Sequence, residues 1–215
     1  MGIRTDKGYT PKKRGSRQKR TGKLILIATE GKNQTETQYF FDMGKEHNLK
    51  ILFAPGNETD PVNMSNQLSK AVKSLTKNNE RPDAVFCVVD SDTNPDKDRQ
   101  LKEAEAILRK ENIPLIVSSP CFEIWFLCHF KYSMAHFNSN QEVIDLLLEK
   151  MPNYSKSRKG VFEELSPKTQ DAIMNAKRLE KACLDAGYRY HTVDFSPSTD
   201  VYKVVQALLN ESRDG

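Results

Sequence analysis

The sequence predicts an α/β fold: a four-stranded, mostly parallel sheet flanked by helices, with a helical extension at its C-terminal end. Three observations carry this expectation. Four short apolar runs recur through the first 120 residues. The segments between them space their apolar residues as amphipathic helices do. Beyond Pro120 the strand signals stop and only helical patterns follow. Strand–helix–strand alternation of this kind gives parallel strands joined by right-handed crossovers, with helices on both faces.

The elements follow in order. Residues 23–29, KLILIAT, form a continuous run with β-branched members, as expected of a strand buried on both faces. Residues 34–47 carry an apolar stripe of Tyr39, Phe40 and Met43 and read as a helix. Residues 49–55, LKILFAP, form the second strand, ended by Pro55 and Gly56. A helix over 62–78 places Val62, Leu68, Val72 and Leu75 on one side. The third strand, DAVFCVVD at 83–90, is followed by a polar loop and a helix over 96–111 with Leu101, Ala104, Ile107 and Leu108 inward. The fourth strand is IPLIVSS at 113–119. Residues 121–130, CFEIWFLCHF, are apolar nearly all round and read as a buried helix; further helices are expected over 140–151, 167–187 and 198–212. The chain thus divides into a basic tail (1–22), an α/β core (23–120) and a helical extension packed on it (121–215), with no internal repeat.

Composition narrows the function classes. The chain has 215 residues and is 37% hydrophobic, enough for one core. No apolar run approaches the roughly 20 residues a membrane span needs, and the N-terminus lacks the apolar stretch of a signal peptide. A cytoplasmic protein with no membrane partner is expected. Cys87, Cys121, Cys128 and Cys183 show no CxxC spacing, which argues for reduced thiols rather than disulfides or structural zinc. The net charge of +4 is uneven: residues 1–23 carry net +8 and the remainder net −4. A tail so basic and so poor in apolar residues is expected to be disordered alone. It suits phosphate backbones, although a solubilising leader without a partner has the same composition.

In an open parallel sheet, ligands bind beyond the carboxyl ends of the strands. Strand one ends in ATEGKNQTE, setting Glu30 at that edge; strand three ends in VVDSDTN, setting Asp90 at the tip and Asp92 two residues on. If the strand persists through Ser91, Asp90 and Asp92 point the same way. Adjacent strands lie about 4.8 Å apart, so the three carboxylates converge within metal-bridging distance. Crowded carboxylates raise one another's pKa, and a divalent cation relieves the conflict; hard oxygen ligands favour Mg²⁺ or Mn²⁺. The plainer alternative is Asp90 capping its loop while Asp92 and Asn94 make turn hydrogen bonds.

An apolar strand ending in Glu-Gly, followed two strands later by one ending in Asp-x-Asp, resembles the Toprim domain of topoisomerases, primases and OLD-type nucleases. The stretches LILIATEGKNQTETQYF, AVFCVVDSD, SSPCFEIWFLCHF and SPSTDVYKVVQAL, spanning roughly residues 23–210, are more specifically similar to the RloB-like family of bacterial proteins, often linked to restriction and phage-defence loci. One departure is that the segment between Gly31 and Thr35-Glu36 is about a residue longer than the family's spacing. The resemblance implies a Toprim-like fold, Glu30, Asp90 and Asp92 as catalytic metal ligands, and a nuclease acting in anti-phage defence. Glu36 opens the next helix, to orient a ligand or to complement the helix dipole. Glu123 has the same ambiguity, between a second metal site and a helix-terminal acid.

Lesser features divide in the same way between function and structure. His129 and Trp125 lie in an apolar segment and read as core. Lys156, Arg158 and Lys159 make a basic loop suited to phosphate contact or merely to solvent. No GxxxxGK[ST] is present, so an ATPase would have to be a separate partner; no GxSxG suggests acyl chemistry. No tyrosine is placed as a topoisomerase nucleophile, and no zinc module accompanies the domain as in primases. The expected activity is a Mg²⁺-dependent hydrolase cleaving phosphodiesters in DNA or RNA, with one metal or a pair about 3.5–4 Å apart. The alternative is a non-catalytic module that binds nucleic acid or a partner. Candidate partners are nucleic acid, a separate ATPase or restriction-linked protein, and a second copy of the chain.

Overall fold

The computed structural model describes residues 22–30, 34–56 and 58–213. The tail prediction for 1–22 therefore lies, apart from Gly22, outside the described residues. The elements run β1 (Leu24–Ala28), α1 (Gln34–Glu46), β2 (Lys50–Phe53), α2 (Pro61–Lys77), β3 (Ala84–Asp90), α3 (Asp96–Arg109) and β4 (Leu115–Ser119). Then come α4 (Glu123–Cys128), α5 (Asn140–Leu148), α6 (Val161–Leu165), a single 3₁₀ turn (Ser166–Lys168), α7 (Thr169–Asp185), β5 (Ser198–Thr199) and α8 (Val201–Arg213).

The sheet order is β2-β1-β3-β4-β5. The first four strands are parallel, as the alternation predicts. The fifth was not predicted: Ser198 and Thr199 pair antiparallel with Ser119 and Ser118, inside a segment expected to begin a helix. A two-residue polar strand has no hydrophobic period to read. It is held by the sheet edge, with the Ser118 and Thr199 hydroxyls 2.8 Å apart and the Asp200 N–H donating to the Val117 carbonyl. The five-residue α6, which begins just after the predicted basic loop, was likewise not expected.

Burial of β1 on both faces explains its unbroken run of apolar residues. Ile25 and Ile27 face one layer, with Tyr39, Phe40 and Met43 of α1, all of α4 except its leading Glu123, and Val201, Val204 and Val205 of α8. Leu26 and Ala28 face the other, with Met64 and Leu68 of α2 and Leu101, Ala104 and Leu108 of α3. The chain steps from β1 to β2 in one direction and returns past β1 to β3. Right-handed crossovers then put α1 on one face and α2 and α3 on the other. The reversal leaves a switch point between β1 and β3.

All six residues of α4 are buried, which is why its sequence lacks a polar stripe. Around it Tyr39, Phe122, Trp125, Phe126 and Phe162 pack mostly edge to face, with centroids 5.3–6.5 Å apart. Such pairs add to area burial and bolt the second half of the chain to the sheet. Two caps fix helix starts near the carboxyl edge. Asp60 accepts from the Asn63 N–H at 2.9 Å ahead of Pro61. Ser139 accepts from the Glu142 N–H at 3.3 Å and so starts α5 at Asn140.

Candidate functional site: an acidic cluster in two halves

Glu30 follows β1 and Asp90 ends β3, and these strands flank the switch point, where ligands are expected in such sheets. The Asp90 N–H points at Glu30 Oε1, 3.4 Å away. Asp90 is only 4% exposed, and its Oδ1 has no hydrogen-bond partner among the described residues. Its carboxyl is held well above the usual carboxylate range by burial first, then by the negative charges of Glu36, Glu30, Glu123 and Asp92. The other four predicted acidic residues all act on this one group.

Asp92 does not follow Asp90 as the strand reading expected. The strand ends at Asp90, although the Ser91 and Asp92 N–H groups still reach the Ser118 and Pro120 carbonyls. At Asp92 φ is +54°, a left-handed turn that Asp tolerates better than most residues. It re-aims the side chain. Oδ2 meets the Lys97 ammonium at 3.0 Å, and Oδ1 accepts from the Asn140 amide at 3.0 Å.

Lys97 also lies 3.5 Å from Glu30 Oε1, and its side chain is 11% exposed. Burial opposes its charge, yet Glu30 and Asp92 together carry its pKa above the ordinary lysine value. Glu30 is itself raised, by burial first, with Lys97 pulling the other way. The outer half of the cluster is therefore a lysine clamped between two carboxylates.

The inner half is Asp90, Glu36 and Glu123. Glu36 sits in the first turn of α1, 2% exposed, its pKa pushed up to about 8 by burial, with Glu123 and Glu30 adding to the rise. Glu123 opens α4 at 1% exposure; its Oε1 accepts from the Tyr154 hydroxyl at 2.8 Å and lies 3.8 Å from the Lys156 ammonium. Both glutamates are buried at helix starts, and their charges add to the upward shift of Asp90. The Lys156 carbonyl accepts from the Thr35 hydroxyl at 3.0 Å, which stitches the basic loop to α1.

Of the three basic residues predicted in that loop, only Lys156 reaches the cluster. Arg158 is bound to Glu164 at 2.5 Å, and Lys159 is exposed. Sequence reasoning did not single out Lys97, Asn140 or Tyr154. The spacing Tyr154-x-Lys156 was the only available signal, because a turn that brings a lysine to the site brings its i−2 neighbour too. His129 is core, as expected: buried, with Nδ1–H donating to the Trp125 carbonyl at 2.9 Å.

Among the described residues no three His, Cys, Asp or Glu side chains form a ready ligand shell. The inner half has the donor type a hard divalent cation takes, without such a shell. It offers only carboxylate oxygens, one of them, on Asp90, unpartnered, and its charge is offset by one half-exposed lysine.

The family model described as RloB-like protein matches residues 25–208. The chain belongs to this family. The match to RloB-like proteins includes every candidate residue from Glu30 to Lys159 as well as β5, and begins after the basic tail. No curated protein and no solved structure matches the chain. No helix among the described residues is long and apolar enough to cross a membrane.

Proposed function

We propose that this RloB-like protein is a metal-dependent nuclease, hydrolysing phosphodiesters of DNA or RNA with Mg²⁺ or Mn²⁺ on a Toprim-like scaffold, in the cytoplasm, in anti-phage defence. The observation that carries the chemistry is Asp90: a buried carboxylate with an unpartnered oxygen, ringed by four more acids at the switch point of the sheet. Carboxyls so crowded and buried take up protons instead of keeping their charge; a bound cation would let them ionise.

Asp90, Glu36 and Glu123 would hold the metal, which when bound lowers the pKa of a coordinated water and stabilises a leaving oxygen. The protein's own groups do the rest. The Tyr154 hydroxyl fixes the Glu123 carboxylate. Lys156, reaching the cluster from an exposed loop, meets a substrate phosphate as a point charge. Glu30, beside Asp90 at the mouth, is placed to accept or return a proton. The tail supplies sequence-independent phosphate contacts.

The clamp of Lys97 on Glu30 and Asp92, and the lack of a ready ligand shell, favour a second reading: a non-catalytic module that binds nucleic acid or a partner ATPase. One assay separates them. Purified protein is incubated with tRNA, single-stranded DNA and plasmid, in Mg²⁺, Mn²⁺ or EDTA, beside Asp90→Ala and Glu30→Ala. Metal-dependent cleavage lost in both variants supports the nuclease. Cleavage that survives them, or never occurs, refutes it.

A further inference from the structure

We infer that the cleft between the C-terminal half of α3, the residues leading into β4 and the turn at His191 is a second ligand site, which takes an alkylammonium group between His191 and Glu105. It shares no residue with the acidic cluster and does not rest on the nuclease reading.

The cleft has a volume of about 430 Å³, and its walls include Glu105 of α3, Phe86, Pro114 and Ile116 on the sheet side, and His191 with Lys203. That volume suits a small molecule. His191 is built into the wall, its side chain 7% exposed and its Nε2–H donating to Asp200 Oδ2 at 2.8 Å. Asp200 is itself fixed: the Tyr190 hydroxyl donates to the same oxygen at 2.6 Å and the Lys203 ammonium to Oδ1 at 2.8 Å. Burial alone would raise the Asp200 pKa, but His191 and Lys203 bring it below the usual value, so the carboxylate is ionised. An ionised carboxylate only accepts, which places the proton of the neutral ring on Nε2 and leaves Nδ1 as an acceptor. Nδ1 is buried and has no hydrogen-bond partner among the described residues.

Opposite Nδ1, Glu105 Oε2 lies 4.0 Å away. Two acceptors across a gap need a donor between them, and the distance discriminates among donors. Hydrogen bonds of about 2.9 Å let one ammonium nitrogen reach both atoms, with an angle of about 90° between the two bonds. A zinc-like metal would bind both atoms at about 2.0–2.2 Å. Ligands 4.0 Å apart would then stand almost in line through it, which a tetrahedral site does not permit. The charges agree with a monocation. Glu105, Asp200 and Glu180 face only Arg109 and Lys203 in the ion pairs here, which leaves one negative charge over. Phe86, Pro114 and Ile116 offer the carbon chain of the amine an apolar wall. The Glu105 side chain, 37% exposed and paired with Arg109, is the group that turns aside to admit the ligand. A single water would bridge the same two acceptors without selecting a ligand, so the test turns on the nitrogen.

The imidazole ¹⁵N resonances of the full chain are followed near pH 8 at constant ionic strength while n-butylammonium is added, with His191 assigned through His191→Gln. Two further probes are n-butyltrimethylammonium, which keeps the charge but has no N–H, and Nα-acetyl-lysine methylamide, which carries the ammonium as a side chain. Butylammonium should move the Nδ1 resonance of His191 saturably and leave those of His47, His129 and His136 in place. The quaternary ion should do neither. Glu105→Gln, an exposed and isosteric change, should weaken the amine by about fivefold. Whichever primary amine binds more tightly assigns the source, a free amine or a lysine side chain. A His191 resonance that neither primary amine moves, an equal response to the quaternary ion, or unchanged affinity in Glu105→Gln would overturn the inference. Each of these results would leave metal-dependent cleavage untouched.

Discussion

Acidifying the protein should weaken it through His129, a residue remote from the proposed chemistry. The ring follows α4, with Trp125 edge-on at 4.8 Å. Its Nδ1–H is spent on the Trp125 carbonyl, and its Nε2 is buried without a hydrogen-bond partner. Charging the ring places a proton on Nε2 with nothing to receive it. Burial accordingly pulls the pKa down from 6.5 to about 4, against the smaller upward pull of the Trp125 and Phe126 carbonyls. The sign follows from linkage. The unfolded chain takes up the proton near pH 6.5 and the folded chain only near pH 4, so the unfolded state binds more protons between them and stability falls as pH falls. At pH 5 the gap is about 1.5 pH units, or about 2 kcal/mol at 1.36 kcal/mol per unit; by pH 4 it approaches about 3 kcal/mol. Urea denaturation at pH 7 and pH 5, on the wild type and His129→Gln, isolates this share from the carboxylates. The hydrogen bond removed in the variant shifts both pH values alike and cancels. At an m-value of about 2 kcal/mol/M, the wild-type midpoint should drop by roughly 1 M more than that of the variant. Equal drops would refute the reasoning.

Other outcomes are equally specific. Gly44→Ala, in the last turns of α1, brings a Cβ to 2.4 Å from Ile51 Cγ1 and 3.2 Å from the Leu49 carbonyl oxygen; overpacking should cost about 1–3 kcal/mol despite the better helix propensity of Ala, read by thermal or urea melts. Lys156→Ala should lower kcat/KM on a nucleic-acid substrate by about 10²-fold, whereas Arg158→Ala, whose guanidinium is already held by Glu164, should leave it within about twofold. Deleting residues 2–21 should weaken nucleic-acid binding without changing the melting temperature. The slope of log affinity against log salt should flatten by about 0.9 for each phosphate the tail no longer neutralises.

β1 was legible because a parallel strand buried on both faces must be apolar without interruption, as LILIA is; β3 and β4 carry similar runs before their polar tips, and the edge strand β2 was read from its short KILF run. The site edge was legible for the same reason: where the apolar run stops, a carboxylate begins. What could not be read was side-chain direction. Asp92 was expected to extend the strand beside Asp90, but its positive φ turns it toward a lysine five residues on and an asparagine 48 residues on. Nothing in a one-dimensional pattern encodes those partners. Glu36 and Glu123 stood out as acids at helix starts, yet their burial depends on how α1 and α4 pack. β5 escaped because a serine and a threonine carry no periodicity; the sheet edge recruits them.

That recruitment imposes an order on biosynthesis. The partner that closes the outer side of β4 is encoded some eighty residues downstream. While the ribosome is still making α5 to α7, the four-stranded sheet has its strands but an open flank, and such edges template pairing with other chains. A premature stop before Ser198 should therefore yield a polypeptide that retains every acidic residue of the cluster yet aggregates as it is made.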